Sequence, residues 1–269
     1  MSAFTHYLSY DFKNGLRDKS LLLMNYLFPL GLFIMMGFLM GAVNPAFNET
    51  IIPAMIIVAI MSIALLGMPN PIVSDRTEGV YRSFKINGIP AAHILSVPPL
   101  GNLLHILLVS AIITALAIPL FSAGLPVNWA FFIGVDIAAF FAMAGLGMLI
   151  GVISSNPRAT ILYSQIFFLP SMILSGLMIP FDMLSPAMQR VSLLLPATHA
   201  MNAFRGLAYG WETSFSAVWS LVILLAGGLI AFALAVFLFQ WDNHNPNRRL
   251  SPFLAILVLV PYLIAVLLY

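Results

Sequence analysis

The sequence predicts an all-α protein embedded in a membrane as one domain, with six or seven crossing helices. Three observations lead to that class. The chain is 61% hydrophobic and 7% charged, whereas a soluble domain carries about 25% charged residues. Its apolar runs are close to the roughly 20 residues that cross a bilayer as a helix. Its basic residues concentrate in alternate connections between those runs, as in multi-pass membrane proteins.

The apolar runs define the elements in order. They cover about 20–43, 51–73, 93–122, 129–153, 160–180, 215–240 and 251–269. Pro98-Pro99 predicts that the third helix is tilted or kinked. The last run has 19 residues and would be a seventh crossing that leaves Tyr269 outside, or else the chain crosses six times. Residues 1–19 are polar enough to be retained rather than cleaved. Their apolar residues recur at helical spacing, which predicts an interfacial helix on the cytoplasmic surface.

The positive charges orient the predicted bundle. If the helices alternate in direction, nine basic residues fall on one side of the membrane and only Arg190 and Arg205 fall on the other. Since Lys and Arg concentrate in the cytoplasm, the N-terminus is predicted to be cytoplasmic, in the plasma or inner membrane. The nine are Lys13, Arg17, Lys19, Arg76, Arg82, Lys85, Arg158, Arg248 and Arg249.

The most charged stretch is SDRTEGVYRSFKINGIP, which we call the charged loop (residues 74–90). Asp75 and Glu78 have the spacing of a capping box, and Glu78 and Arg82 are four residues apart. With Asn87-Gly88 and Pro90 as stop signals, they predict a helix of about three turns. This helix is either a docking surface or a solvated connector. The candidate docking residues are Asp75, Arg76, Glu78, Val80, Tyr81, Arg82, Phe84 and Lys85.

A broken apolar stretch, LSGLMIPFDMLSPAMQRVSLLLPATHAMNAFRG, occupies residues 174–206. Its prolines leave pieces too short to cross, and residues 186–196 can form a helix of only about 15 Å. Irregular backbone cannot face lipid, because each unpaired polar group costs several kcal/mol. The charge rule puts residues 181–212, which we call the outer segment, on the outer face. We predict a pair of short re-entrant helices that plug or gate a path.

The ordered set of these motifs resembles the ABC-2 type transporter permeases. The outer part of the set is Gly176, Pro180, Pro186, Pro196, Thr198, His199, Arg205 and Gly210. The charged loop looks like that family's coupling helix, with Glu78, Gly79 and the Asn-Gly-Ile-Pro end in place. Arg17-Asp18-Lys19 before the first run also looks like the family's N-terminal region. The seventh run departs from the family, which usually has six crossings.

The resemblance implies the transmembrane subunit of an ATP-driven exporter. ATP and Mg would be bound by a separate cytoplasmic ATPase, which the charged loop would contact, and a second permease copy would complete a homodimer or heterodimer. The outer helices would close the exit, with the gate residues Gly176, Pro180, Pro186, Pro196, His199 and Arg205. An apolar path would suit a lipophilic drug-like, lipid or lipid-linked substrate; lipid is an expected partner and nucleic acid is not.

Other chemistry has little support in the sequence. The three lysines do not follow a glycine, so there is no P-loop, and we expect neither catalysis nor a cofactor in this chain. The chain has no cysteine and no H-E-x-x-H or G-x-S-x-G motif, which argues against a metal site and an intramembrane enzyme. An ion-coupled carrier or channel stays as the alternative. If Asp136 is buried, it would serve such a carrier; otherwise it lies near the outer end of the fourth helix, in contact with water. Asn102 and His105 are expected to hydrogen-bond within the bundle.

Overall fold

The computed structural model describes residues 22–43, 47–242 and 252–268, and within these ranges every regular element is helical. The prediction of an all-α protein is confirmed. The α-helices are α1 (Phe28–Val43), α2 (Phe47–Met61), α3 (Pro69–Thr77), α4 (Val80–Ile86), α5 (Ala91–Phe121), α6 (Trp129–Ile153), α7 (Pro157–Leu174), α8 (Pro186–Ser192), α9 (Pro196–Ala203), α10 (Ala217–Leu238) and α11 (Val260–Leu268). Leu23–Leu27, Ser62–Gly67 and Phe204–Ala208 are π-helical, and Phe181–Met183 and Pro252–Leu259 are 3₁₀-helical. The predicted helix in residues 1–19 lies outside the described residues.

Five stretches of helix in the described residues are long and apolar enough to cross a membrane. They are Asn25–Val43, Phe47–Thr77, Ala91–Phe121, Trp129–Ile153 and Ala217–Leu238. They correspond to the first four predicted runs and the sixth, so a multi-pass membrane protein is confirmed. The fifth run is a shorter helix, α7, which ends at Leu174. Gly176 follows with φ +78°, a left-handed conformation that stops the helix.

The second and fourth runs form the centre of the bundle. The residues of α2 from Ile51 onward are all buried, and α6 packs against α2, α3, α5, α7, α9 and α10. Two glycines of α6 permit this close approach. A Cβ on Gly147 would lie 2.0 Å from the Ala64 carbonyl oxygen, and one on Gly151 would lie 2.9 Å from the Pro69 oxygen. Gly147 and Gly151, two small residues four positions apart, therefore lie at a close helix contact.

Polar side chains join helices inside the bundle. Asn25 Nδ2 donates to Asn102 Oδ1 at 3.2 Å, which links the first crossing to α5. The Tyr26 hydroxyl lies 2.6 Å from His105 Nδ1 in the same pair of helices. Asn102 and His105 thus make the interhelical hydrogen bonds expected of them. Such bonds satisfy polar groups that would otherwise face lipid.

The connections separate into two ends of the bundle. At one end the charged loop meets the residues after α10, where Arg82 Nε donates to Asp242 Oδ2 at 2.7 Å. At the other end the outer segment meets the start of α6, where the amides of Val127 and Asn128 both donate to the Ala208 oxygen at 2.9 Å. Within the described residues, the charged loop and the outer segment therefore lie at opposite ends of the bundle.

Candidate functional sites

The helix of the charged loop begins later than the sequence predicts. Asp75 and Arg76 belong to the last turn of α3, and α4 begins at Val80 and runs for only seven residues. Gly79, with φ +80°, separates the two helices, so the expected cap at Asp75 is wrong. A left-handed residue reverses the chain direction at little cost only when it is glycine. The helix ends as predicted, at Asn87 and Gly88.

Arg76 faces the bundle rather than a partner. Its side chain is 2% exposed, and Nη1 donates to the Val152 oxygen at 2.8 Å. Nη2 donates to the Ser154 oxygen. These carbonyls end α6, where the last helical oxygens lack intrahelical partners and carry partial negative charge. Arg76 was expected on the docking surface; it instead ties α3 to the end of the central helix.

The exposed face of α4 is smaller than predicted. Tyr81 is 3% exposed and its ring packs 5.2 Å from that of Phe239 after α10, so it belongs to the core. Val80 and Phe84 are half-buried. The charged and apolar side chains exposed here are those of Glu78, just before α4, and of Arg82, Lys85 and Ile86; Ser83 is exposed as well. Ile86, which the sequence reasoning did not single out, is 86% exposed and is the most exposed apolar side chain of this helix.

The expected pairing of Glu78 with Arg82 is replaced by a longer-range one. Arg82 pairs with Asp242, 160 residues away. Both side chains are near the surface, so the pair contributes about 1 kcal/mol or less. Its consequence is geometric: α4 is held beside the end of α10. Asp75 is half-buried at the end of α3.

The outer segment folds as two short helices, α8 and α9. Ser185 caps α8 by accepting from the Met188 amide at 3.4 Å, and Pro186 occupies the first helical position. Pro180 precedes the 3₁₀ turn Phe181–Met183. Pro186 and Arg190 are exposed. The prolines therefore divide the segment where the sequence predicts, and both helices are too short to cross.

The second short helix, α9, is buried along its whole length, from Pro196 to Ala203. His199 is fully buried, and its Nε2 donates to the Leu193 oxygen at 2.9 Å. Burial lowers the pKa of His199 to about 4, so the ring is neutral at physiological pH. The Thr198 hydroxyl bonds to Ser175 Oγ at 3.0 Å and to the Ser192 oxygen at 2.7 Å. This helix is anchored in the protein, not in lipid.

Arg205 closes the loop that leads into α10. It lies in the π-helical turn Phe204–Ala208, half-buried, and Nη2 donates to the Glu212 oxygen at 3.3 Å. The Trp211 amide donates back to the Arg205 oxygen at 2.9 Å. Asn202 completes the attachment by donating to the Phe215 oxygen and to Ser220 Oγ, each at 2.9 Å. The outer segment is therefore continuous with the start of α10.

Asp136 lies inside the bundle, not in water at its outer end. Its side chain is 1% exposed, two turns into α6, and faces Ser110 of α5. One carboxyl oxygen has no hydrogen-bond partner among the described residues. The expectation of water contact is wrong. Within the described ranges no group of three acidic, histidine or cysteine residues could hold a metal ion.

The residues that sequence reasoning missed act through distant partners. Asp242, Ser175 and Asn202 carried no local motif, because their partners lie at least 13 positions away. The helix caps were readable: Asn156-Pro157 and Ser185-Pro186 both place a capping side chain before a proline.

Comparisons with known proteins show which family this sequence resembles. The sequence model of the ABC-2 type transporter family matches residues 2–209. A 214-residue stretch, 79% of this chain, is 24% identical to ABC transporter G family member 20 of Dictyostelium discoideum and covers 29% of that protein. A stretch of 69 residues is 30% identical to Nodulation protein J of Neorhizobium galegae, covering 26% of each protein. The matched regions thus span less than a third of either relative.

The family match includes both candidate sites: the charged loop and the outer segment as far as Tyr209. It covers well over half of the chain, and the described residues form a helical bundle with several membrane-crossing helices. On these grounds the chain belongs to the ABC-2 type transporter family and is an integral, multi-pass membrane protein.

Proposed function

We propose that this chain is the permease subunit of an ATP-driven exporter that moves a lipophilic drug-like, lipid or lipid-linked substrate out of the cytoplasm. ATP would be hydrolysed on a separate cytoplasmic ATPase, and a second permease copy would complete the transporter. Residues 181–212 would then be extracellular or periplasmic, with the N-terminus in the cytoplasm. Family membership and the absence of a P-loop in this sequence support the assignment of ATP hydrolysis to a separate subunit.

The proposal rests on how α4 is attached to the rest of the bundle. The helix presents Lys85 and Ile86 to solvent beside Glu78, which is exposed just before it, while Tyr81 and Phe84 contact the bundle. Two attachments hold its surroundings to long helices: Arg76 to the end of α6 and Arg82 to the end of α10. A surface helix fixed in this way can pass a displacement to the helices that line the centre of the bundle. A solvated connector needs no such attachments.

The ATPase is expected to bind α4 through a few apolar anchors and oriented charges. Ile86 is the main anchor, the exposed part of the half-buried Phe84 adds to it, and Glu78 and Lys85 set orientation. Interface anchors contribute about 2 kcal/mol each, and about 30-fold in affinity. We expect Ile86→Ala, Phe84→Ala and Glu78→Arg to weaken co-purification of the ATPase and to reduce transport in parallel.

The test is a pull-down of a candidate ABC ATPase expressed together with this chain, scored together with transport at equal expression. Met188→Ala is the matched control, since Met188 is an exposed apolar residue of a short helix at the other end. Undiminished binding and transport in all three α4 variants would remove the docking role.

One observation favours the alternative of an ion-coupled carrier: the buried carboxyl group of Asp136 facing Ser110. Ionisable groups inside a membrane bundle commonly mark ion or proton paths. The two functions separate in proteoliposomes containing the purified chain alone. Transport driven by an ion gradient and abolished by Asp136→Asn would favour the carrier. Transport that requires the ATPase and nucleotide, and that survives Asp136→Asn, would favour the exporter.

A further inference from the structure

We propose that residues 252–268, the C-terminal segment, cross the membrane beside α10 and brace the outer segment through Tyr262 and Val266. The family usually has six crossings, so this would be an addition to its plan. The crossing itself does not depend on ATP-driven transport. Only the effect of this brace on gating of the exit rests on the proposed function.

The direction of the segment follows from its contacts with α10. The start of α10 lies at the outer segment, where a Cβ on Gly206 would meet that of Ala217 at 2.5 Å. Its far end lies at α4, where Phe239 packs on Tyr81. Tyr262 contacts Gly227, halfway along α10. Val266 packs on the outer-segment cluster of Phe181, Leu184 and Leu193. The segment therefore runs antiparallel to α10 and ends at the outer segment.

The length and composition of the segment suit a crossing. At about 2.0 Å per residue in a 3₁₀-helix, Pro252–Leu259 covers about 16 Å. At about 1.5 Å per residue, Val260–Leu268 adds about 14 Å. The total of about 30 Å matches the hydrocarbon thickness of a bilayer, whereas 17 residues of α-helix would reach only about 26 Å. The segment contains no charged residue, and its exposed side chains, such as Phe253, Ile256 and Leu267, are apolar.

The brace is built around Tyr262. Its side chain is 3% exposed, and its ring centroid lies 5.7 Å from that of His199 in α9. On its other side a Cβ added to Gly227 would lie 2.3 Å from the Tyr262 hydroxyl and 2.7 Å from Cζ. Tyr262 is thus held between α10 and the buried short helix. Without the Tyr262 ring, α9 would lose this packing contact, and a neighbouring residue would have to move to replace it.

The crossing is tested by labelling single cysteines with an impermeant maleimide, since the chain has no cysteine of its own. Leu268→Cys is compared with Met188→Cys in the outer segment and Ser83→Cys in α4, all at exposed positions. Leu268→Cys should be labelled from the same side as Met188→Cys and from the side opposite to Ser83→Cys. This comparison holds whichever end faces the cytoplasm. Labelling from the same side as Ser83→Cys would overturn the crossing.

The packing is tested by a double-mutant cycle. Gly227→Ala should lower the thermal unfolding midpoint of the detergent-purified protein by about 3–10 °C, through overpacking against Tyr262. In a Tyr262→Ala background the same change should have little effect, because the clashing ring is gone. Gly31→Ala, where nothing lies within 4 Å, should be neutral in both backgrounds. An equal effect of Gly227→Ala in both backgrounds would refute the contact.

The brace is read out at a buried site in the outer segment. Ser192 is fully buried, so labelling of Ser192→Cys reports opening of α8 and α9. Adding Tyr262→Ala should raise its labelling rate about tenfold, the factor that corresponds to losing one aromatic contact. An unchanged rate would mean that the C-terminal segment crosses without bracing the outer segment. Loss of ATPase co-purification in the α4 variants tests the proposed function separately, because Tyr262 lies far from that surface.

Discussion

Arg76 shows at the residue scale how burial changes the role of a charged side chain. It satisfies two carbonyls at the end of α6, and a hydrogen bond to a charged group contributes about 1.5–3 kcal/mol. We expect Arg76→Met to lower the free energy of unfolding by about 3 kcal/mol or more and to reduce transport. Arg76→Lys, which keeps one donor in reach, should lose less. Unfolding in detergent, followed by tryptophan fluorescence, measures the difference.

The same variants separate a structural link from a docking contact. ATPase co-purification should persist in Arg76→Lys, because the side chain is not on the exposed face of α4. Loss of ATPase co-purification with unchanged stability would show that Arg76 belongs to the docking surface, as the sequence predicted.

His199 makes the outer segment sensitive to acid. Its folded pKa, lowered to about 4 by burial, lies below the ordinary value of 6.5. The folded state therefore binds fewer protons than the unfolded state between these values, so stability is full above pH 6.5 and falls as the pH drops toward 4. We expect the labelling rate of Ser192→Cys, divided by that of the exposed Met188→Cys at the same pH, to rise as the pH falls over this range. We expect His199→Gln to remove that dependence. A flat profile in the protein with His199 intact would contradict the assignment.

The contact between α6 and the second crossing decides stability at the scale of elements. A Cβ on Gly147 would lie 2.0 Å from the backbone oxygen of Ala64, which cannot move without shifting the π-helical turn Ser62–Gly67. We expect Gly147→Ala to reduce stable expression strongly and to lower the unfolding midpoint. Gly134→Ala on the same helix, with open space around it, should be neutral or stabilising. Fluorescence-detected size exclusion of both variants checks this, and equal profiles would contradict the close contact.

The distribution of basic residues predicts the orientation of the whole molecule. With nine basic residues assigned to one side and two to the other, we expect a cysteine at Ser83 to be labelled by an impermeant reagent only after permeabilisation. A cysteine at Met188 should be labelled in intact cells. Labelling of Ser83→Cys in intact cells would reverse the predicted orientation.

Sequence patterns predicted the elements of this fold well where the signal is local. Apolar runs of about 20 residues correspond to the long helices, and α6 begins and ends at the predicted residues. The left-handed Gly176 follows the end of α7, and Pro186 and Pro196 begin the two short helices of the outer segment. These features depend on backbone geometry and on the cost of unpaired polar groups in lipid, which a residue and its near neighbours determine.

The candidate sites were harder to predict, because burial depends on partners distant in sequence. Asp75 and Glu78 have the spacing of a cap, yet α3 continues through Asp75, since the preceding crossing is longer than its apolar run. Arg76 and Tyr81 look like surface residues in a charged loop, and both are buried by the ends of α6 and α10. Arg82 had a partner four residues away but pairs with Asp242.

The sequence by itself determined that this protein is helical, lies in a membrane and resembles the ABC-2 type permeases, because apolar length, charge placement and proline positions act locally. Only the tertiary structure decided which side chains of α4 remain exposed, that Asp136 is buried, and that Tyr262 lies between Gly227 and His199. The physical reason is that packing selects one neighbour among many of similar polarity, and that choice depends on shape and distance across the whole bundle.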